Sequence, residues 1–383
     1  MNGAPEARPR AARASVLAVF SVNGFLMGTW LVRIPAVQQG LGLGEGLLGV
    51  ALLGSAVGAL VAMPSVGALI SRLGSRRIVG TTALLLCLAV TLPAIAPNLV
   101  LLFLAIAMVG AANGGLDVSM NSQAVAVEKD YGRPIMSSFH AAWSFGGLAA
   151  AGVGGVVASL GIGPLPHFAA VGALSLVAFG LAYRNLMPPG ADAAEDGAPA
   201  FARPTGALLG LGLVSFCVLL GEGAMGDWSA VYLDTTLGTG PGFAALGYGA
   251  FSFAMAFGRL FGDALTARLG PAVLVRSCGA LAAVGFGVSL TVGDPILALV
   301  GFACAGAGFS IIFPLALSAA GRAEGVAPGP ALAAVATAGY TGFLVGPPTI
   351  GFLAELTGLD AALYVVVALS TAVVILGGAF RKK

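Results

Sequence analysis

Ionisable side chains stand inside long hydrophobic stretches of this 383-residue sequence. Asp117 lies between Asn113 and Asn121, and the four-residue spacings place all three on one face of a helix. Glu222 and Asp227 lie in a later stretch, where their five-residue separation points them in different directions. A carboxyl group whose exposure to water changes can bind and release a proton. Asp117 and Glu222 are therefore the predicted proton-coupling residues, with an interhelical hydrogen bond as the alternative role of Asp117.

Further polar and aromatic side chains in the same stretches form a predicted substrate cavity. Asn23 and Trp30 share a helical face because they are seven residues apart. Arg33 either reaches the outer lipid headgroups or pairs with an acid of the later stretch, Asp227 or Glu222. Helix packing is the alternative role for Asn23, Trp30 and Tyr340. A contact between helices is the alternative for His140, and a gate or structural role is the alternative for Asn121 and Asp227. The complete predicted set is Asn23, Trp30, Arg33, Asn113, Asn121, His140, Trp143, Asp227, Trp228 and Tyr340.

The composition shows what kind of element must hold these residues. Hydrophobic residues make up 58% of the chain and charged residues 9%, whereas soluble domains average about 25% charged residues. So few charges cannot cover a surface that faces water, so the sequence predicts an integral membrane protein. Each of the four cysteines lies in an apolar segment, which indicates a buried small side chain.

Twelve hydrophobic runs are long enough to cross a bilayer, for which a helix needs about 20 residues. They predict an all-α membrane protein. The runs cover residues 14–38, 46–71, 77–95, 98–124, 135–159, 164–187, 205–234, 242–268, 271–291, 295–321, 330–353 and 360–380.

The distribution of positive charge predicts the orientation. With the N-terminus in the cytoplasm, every one of the 18 Lys and Arg residues except Arg33 falls in or beside a cytoplasmic segment. Cytoplasmic loops of membrane proteins are enriched in these residues. We therefore expect both termini to be cytoplasmic.

The chain divides into two halves that resemble each other. A six-helix bundle is predicted for residues 1–187, a Pro- and Ala-rich cytoplasmic linker for 188–204, and a second six-helix bundle for 205–383. The tripeptide RLG occurs in both halves, at Arg72–Gly74 and Arg268–Gly270. Transporters built from such repeats bind their substrate between the two repeats.

The loop after the second run resembles the cytoplasmic-loop signature of the major facilitator superfamily. It reads GALISRLGSRR, with Ser71 where that family usually has Asp, and the later copy GRLFGDALTARLG retains an acid at Asp263. The resemblance implies twelve helices in two pseudo-symmetric bundles and a charged cytoplasmic gate. The gate residues that it implies are Arg72, Arg76, Arg77, Arg259, Asp263 and Arg268.

Residues 114–147 and 221–233 resemble a narrower bacterial branch of that superfamily, the MosC/YbjJ-like proteins, which are distantly similar to fucose permeases. The resemblance implies a secondary transporter of the bacterial cytoplasmic (inner) membrane, which moves a small sugar-like or polyol-like solute by alternating access and proton symport. Proton-coupled efflux is the first alternative. A non-transporting receptor or assembly protein on the same fold is the second.

An enzyme is disfavoured because the two histidines, His140 and His167, lie near opposite membrane faces and no H-E-x-x-H or Walker A motif occurs. We expect no cofactor and no metal, with a proton gradient as the energy source. The expected partners are a small-molecule substrate and the lipid bilayer, without nucleic acid, and the chain is expected to be a monomer.

Overall fold

The structure, a computed structural model, describes residues 7–132, 135–188, 206–323 and 328–380. All regular secondary structure in these residues is helical. The α-helices are α1 (Ala7–Leu31), α2 (Ile34–Leu41), α3 (Glu45–Leu73), α4 (Ser75–Ala89), α5 (Leu99–Tyr131), α6 (Met136–Ser159), α7 (Pro164–Tyr183), α8 (Gly206–Val231), α9 (Pro241–Leu269), α10 (Pro271–Val292), α11 (Pro295–Phe309), α12 (Ile312–Ala320), α13 (Pro328–Thr357), α14 (Leu359–Ala362) and α15 (Tyr364–Leu376). The remaining helical elements are short 3₁₀ turns at Leu92–Ala94 and Gly377–Phe380 and a π turn at Tyr232–Thr236.

Eleven helical segments in the described residues are long and apolar enough to cross a membrane. They coincide with eleven of the twelve predicted runs. The remaining run, 330–353, lies in α13, which has 30 residues and contains two internal prolines, Pro347 and Pro348. The predicted number of spans is therefore consistent with the helices found. The sidedness of the termini stays a prediction.

Two runs that were predicted as single spans are interrupted next to a proline. The first divides between α1 and α2 at Val32–Arg33, and the tenth between α11 and α12 at Ser310–Ile311. In each case a proline, Pro35 or Pro314, occupies the first turn of the helix that follows. Proline fits a first helical turn, but its ring clashes with the carbonyl four residues earlier if the helix continues. Each segment still counts as one candidate span, as predicted, with a turn inside it.

The helices form two compact units. The first contains α1, α2, α4–α7 and the part of α3 from Val50 onward. The second contains α8–α15 together with Gly44–Gly49. Most of the predicted linker, 188–204, lies outside the described residues, so the boundary predicted there stays a prediction.

Glycines bring the central helices of each unit into backbone contact. In the first unit, a Cβ at Gly24 of α1 would collide with the carbonyl oxygen of Trp143 on α6, and a Cβ at Gly146 would collide with that of Ser21. In the second unit, a Cβ at Gly342 of α13 would lie 2.5 Å from the carbonyl oxygen of Phe216 on α8. Small residues permit this close approach in membrane helices.

Candidate functional site

Three of the predicted cavity residues form one hydrogen-bonded network in the first unit. Trp143 Nε1 on α6 donates to Asn23 Oδ1 on α1 at 2.6 Å. Asn23 Nδ2 in turn donates to Asn113 Oδ1 on α5 at 2.8 Å. Asn23 is 1% exposed and lies between the other two side chains. The network fixes the orientation of Asn113, whose amide NH₂ has no protein partner in the described residues and can donate to a ligand.

The glycine contacts of α1 and α6 explain why this network forms. Gly24 follows Asn23 directly, and its lack of a side chain lets α1 touch the α6 backbone at Trp143. A larger residue at that position would separate the two helices and lengthen the bond from Trp143 to Asn23. The position of the network thus depends on local backbone packing.

Asp117 lies one turn beyond Asn113 along α5. Asn121 Nδ2 donates to Asp117 Oδ1 at 3.1 Å and to the Asp117 carbonyl oxygen at 2.8 Å. Both side chains are half-buried. The polar stripe predicted from the spacing is therefore present on one helix. In the described residues, the bond from Asn121 is the only hydrogen bond that the Asp117 carboxylate accepts, and it lies within α5. A hydrogen bond from Asp117 to another helix, its alternative role, is therefore not seen in these residues.

A second polar cluster, in the second unit, joins α8 to α9. Arg259 Nη2 lies 3.7 Å from Glu222 Oε2, and the two side chains are 17% and 15% exposed. This partner had not been predicted for Arg259, which was expected to act with Asp263 at the cytoplasmic gate. The side chain of Asp263 lies outside what the structure describes, so that pairing stays a prediction.

Two other predicted residues of α8 have different surroundings. Asp227 is half-buried and makes no hydrogen bond or ion pair within the described residues. Trp228 is 0% exposed, and its indole N–H is buried without a partner in the same part of the chain. Asp227 can therefore face a ligand, whereas Trp228 packs in the protein core in this conformation.

The remaining aromatic candidates pack against phenylalanines. Trp30 lies 6.3 Å from Phe168, between ring centroids, and is nearly fully buried. The His140 ring meets Phe20 edge-on at 5.4 Å. Tyr340 lies between Phe313 and Phe343, with 36% of its surface exposed. Of the predicted aromatic candidates outside the network, Tyr340 is thus the most exposed.

Arg33 is buried within the first unit, and its predicted pairing with Asp227 or Glu222 stays a prediction. Its Nη2 donates to the carbonyl oxygen of Ile162, in the segment between α6 and α7, at 2.6 Å. The side chain is 4% exposed, so the alternative in which it reaches the lipid headgroups is wrong. The prediction failed because the turn at Val32–Arg33 directs the side chain into the unit.

The predicted gate arginines are mostly on the surface. Arg72, Arg77 and Arg268 are exposed. Arg76 instead stacks over the Tyr183 ring at 4.8 Å and donates to the carbonyl oxygen of Arg184 at 3.3 Å. In the described residues, no group of three or more His, Cys, Asp or Glu side chains could hold a metal ion.

Two further residues have structural roles, of which only that of Glu128 had not been predicted. Gln123 is fully hydrogen-bonded, donating to Ser75 Oγ and accepting from the backbone N–H of Met187. Glu128 Oε2 accepts from the backbone N–H groups of Ile135 and Met136 at 2.7 and 2.8 Å, and so caps the start of α6. An acid before a helix start is a recognisable signal, but the intervening turn separates Glu128 from the helix that it caps.

Comparisons with known proteins identify the family. A family model described as Major Facilitator Superfamily matches residues 16–323. An uncharacterised MFS-type transporter of Yersinia pestis is 35% identical over 350 residues, which is 91% of each chain. Membrane protein MosC of Rhizobium meliloti is 34% identical, over 92% of this chain and 86% of that protein.

Solved structures show the same fold at low sequence identity. The nucleoside transporter NupG superposes with a TM-score of 0.72 at 15% identity, over 95% of this chain and 97% of its own. FucP, in its outward conformation, has a TM-score of 0.66 at 16% identity, over 97% and 98% of the two chains. The predicted fold class and family resemblance are thus confirmed: the chain belongs to the Major Facilitator Superfamily and is a multi-pass membrane transporter.

Proposed function

We propose that this protein is a secondary active transporter which carries a small sugar-like or polyol-like solute together with protons across the bacterial cytoplasmic membrane. In this proposal the solute site is exposed alternately to each side of the membrane, both termini face the cytoplasm, and the chain acts as a monomer. The proton gradient is the only energy source required.

The ion pair between Glu222 and Arg259 carries the proposal of proton coupling. Of the two paired groups, the carboxylate of Glu222 is the one that can accept a proton. A proton taken up by Glu222 therefore removes its attraction to Arg259 and leaves the guanidinium without that counter-charge. The ion pair joins α8 to α9, so its loss weakens the link between these two helices and favours their rearrangement.

Partial exposure of the pair supports this role. The two side chains keep 15% and 17% of their surface accessible, so water can deliver and remove a proton. A fully enclosed pair would lack that path. Membrane-embedded acids that pair with a cation are common in proton relays of pumps and transporters.

The polar stripe of α5 supports a solute with several hydroxyl groups. Asn113 offers amide donors and Asp117 offers a carboxylate acceptor one turn away, about 6 Å along the helix. A polyol presents donors and acceptors at comparable spacing. FucP, which shares the fold, is described as a fucose:proton symporter, and MosC, a relative at 34% identity, carries no stated substrate.

The test is transport in proteoliposomes that hold the purified protein under an imposed pH gradient. Neutral sugars and polyols are screened for accumulation driven by the gradient. Glu222→Gln and Asp117→Asn are each expected to abolish accumulation, and exchange of labelled for unlabelled solute should persist in Glu222→Gln. Asp130→Asn, a change at an exposed carboxylate near the end of α5, serves as the matched control. Wild-type accumulation in both Glu222→Gln and Asp117→Asn would refute the coupling, and extrusion in place of uptake would identify an antiporter.

A further inference from the structure

The break between α1 and α2 positions Arg33 inside the first unit. The backbone of Arg33 has φ −109° and ψ 2°, and its N–H bonds to the carbonyl oxygen of Trp30 in a tight turn. Irregular backbone within a membrane span is tolerated where it is enclosed by protein or lines a cavity. The break therefore places a permanently charged side chain against neighbouring helices.

Most of the hydrogen-bonding capacity of this guanidinium is unused. Nη2 donates to the carbonyl oxygen of Ile162, but Nε and Nη1 are buried and have no partner in the described residues. These two nitrogens carry three N–H donors. With 4% of the side chain exposed, bulk water does not satisfy them.

His167 of α7 is a second buried side chain whose nitrogens lack hydrogen-bond partners within the described residues. It is 4% exposed, and both Nδ1 and Nε2 lack a partner in the part of the chain that the structure describes. A Cβ at Gly154 of α6 would lie 3.6 Å from His167 Cε1 and 2.5 Å from Cγ2 of Val32, the residue before Arg33. The imidazole also lies within electrostatic range of Arg33. The two side chains therefore belong to one polar cluster.

The helices that carry Arg33, His167 and the residues that they contact provide no acidic side chain as a counter-charge. The sequences of α1, α2, α6 and α7 contain no Asp and no Glu. The segment 160–163 that joins α6 to α7 reads LGIG and contains none either. The C-terminus of α6 contributes at most about half a negative charge through its dipole. A full positive charge is thus only partly compensated, which is costly in a low-dielectric interior.

We propose that Arg33 and His167 bind one small monovalent anion, with the guanidinium N–H groups and an imidazole N–H as donors. Chloride and small free carboxylates such as formate share this chemistry. The anion completes the charge balance of the turn at Val32–Arg33 and stabilises the first unit. This assigns Arg33 to an anion site and not to the solute cavity, and it holds whether or not the transported solute is a polyol.

Thermal unfolding of the purified full-length protein in detergent tests the proposal. The protein is prepared in gluconate, and chloride, bromide or formate replaces gluconate at constant ionic strength. We expect a saturable rise in Tm, since a ligand that binds only the folded state stabilises it. Arg33→Gln and His167→Phe should abolish the rise, and Arg33→Lys should keep it with at least tenfold weaker affinity.

Arg13→Gln is the matched control. Arg13 also has a buried Nε without a partner in the described residues, but its guanidinium lies 5.2 Å from the Tyr131 ring centroid. The Arg13→Gln variant should keep the wild-type rise in Tm when anions are added. Should Arg33→Gln fail to fold, binding of radiolabelled chloride to wild type and His167→Phe decides the question.

One saturable chloride per wild-type chain, displaced by formate and lost in His167→Phe, supports a chloride site. Saturable stabilisation by formate but not by halides would support the same site with a carboxylate as its ligand. A Tm that does not respond to anion identity, or an unchanged response in both Arg33→Gln and His167→Phe, would overturn the proposal.

Discussion

Replacing Asn23 with leucine removes two hydrogen bonds while keeping the branched shape and the number of side-chain heavy atoms. Trp143 Nε1 then loses its acceptor and Asn113 Oδ1 loses its donor. Hydrogen bonds between membrane helices contribute about 0.6 kcal/mol on average and up to about 1.7. Both bonds here are short, at 2.6 and 2.8 Å, so we expect Asn23→Leu to lower the free energy of unfolding by about 1–3 kcal/mol.

A double-mutant cycle isolates the bond to Trp143. Trp143→Phe removes the indole N–H but keeps an aromatic ring against α1. The cycle measures whether the effects of Asn23→Leu and Trp143→Phe add. Because the second change is redundant once the first has removed the acceptor, we expect a coupling energy of about 0.5–1.7 kcal/mol.

Equilibrium unfolding in mixed detergent micelles provides the assay, followed by helical circular dichroism. The gel-filtration profile of each variant confirms that it starts from the folded state. A coupling energy within error of zero would refute the network, because it would mean that Asn23 and Trp143 do not interact in the folded protein. Asn23→Leu should also bind solute more weakly, since Asn113 loses the contact that orients it.

Four further outcomes are expected. Gly146→Ala should lower stability by about 1–3 kcal/mol in the same unfolding assay because its Cβ meets the carbonyl of Ser21, whereas Gly152→Ala, with open space around it, should be neutral or slightly stabilising. Arg259→Gln should abolish proton-driven accumulation but retain solute exchange, both measured in proteoliposomes. Glu128→Ala should lower unfolding stability by about 1 kcal/mol, because the first N–H groups of α6 lose their cap. A phosphatase fused to the C-terminus should be inactive in whole cells if that end is cytoplasmic, and activity would contradict the orientation predicted from the positive charges.

Much of the fold was accessible from the sequence because single helices are local structures. Hydrophobic run length predicted the spans, and the spacing of Asn113, Asp117 and Asn121 predicted their common face. The bond from Asn121 to Asp117 is likewise an i, i+4 contact, so the same spacing anticipates it. These features depend only on residues that are close along the chain.

The parts that were missed depend on contacts between distant segments. The ion pair from Arg259 to Glu222 joins two helices, and spacing along either one does not reveal it. The partner of Arg33 is the backbone carbonyl of Ile162, which any residue type would provide. The break before Pro35 had a visible proline signal, but apolar residues on both sides of it made residues 14–38 look like one continuous span.

The backbone contact between α1 and α6 has a consequence for measuring motion in this transporter. At Gly24 and Gly146 the backbones of α1 and α6 are in direct contact, with no side chains between them. The two helices should therefore move as one rigid body through a transport cycle. The distance from Asn23 to Trp143 is then constant in every state. Probes attached along this pair would supply an internal standard, against which displacements of other helices in the same sample can be calibrated.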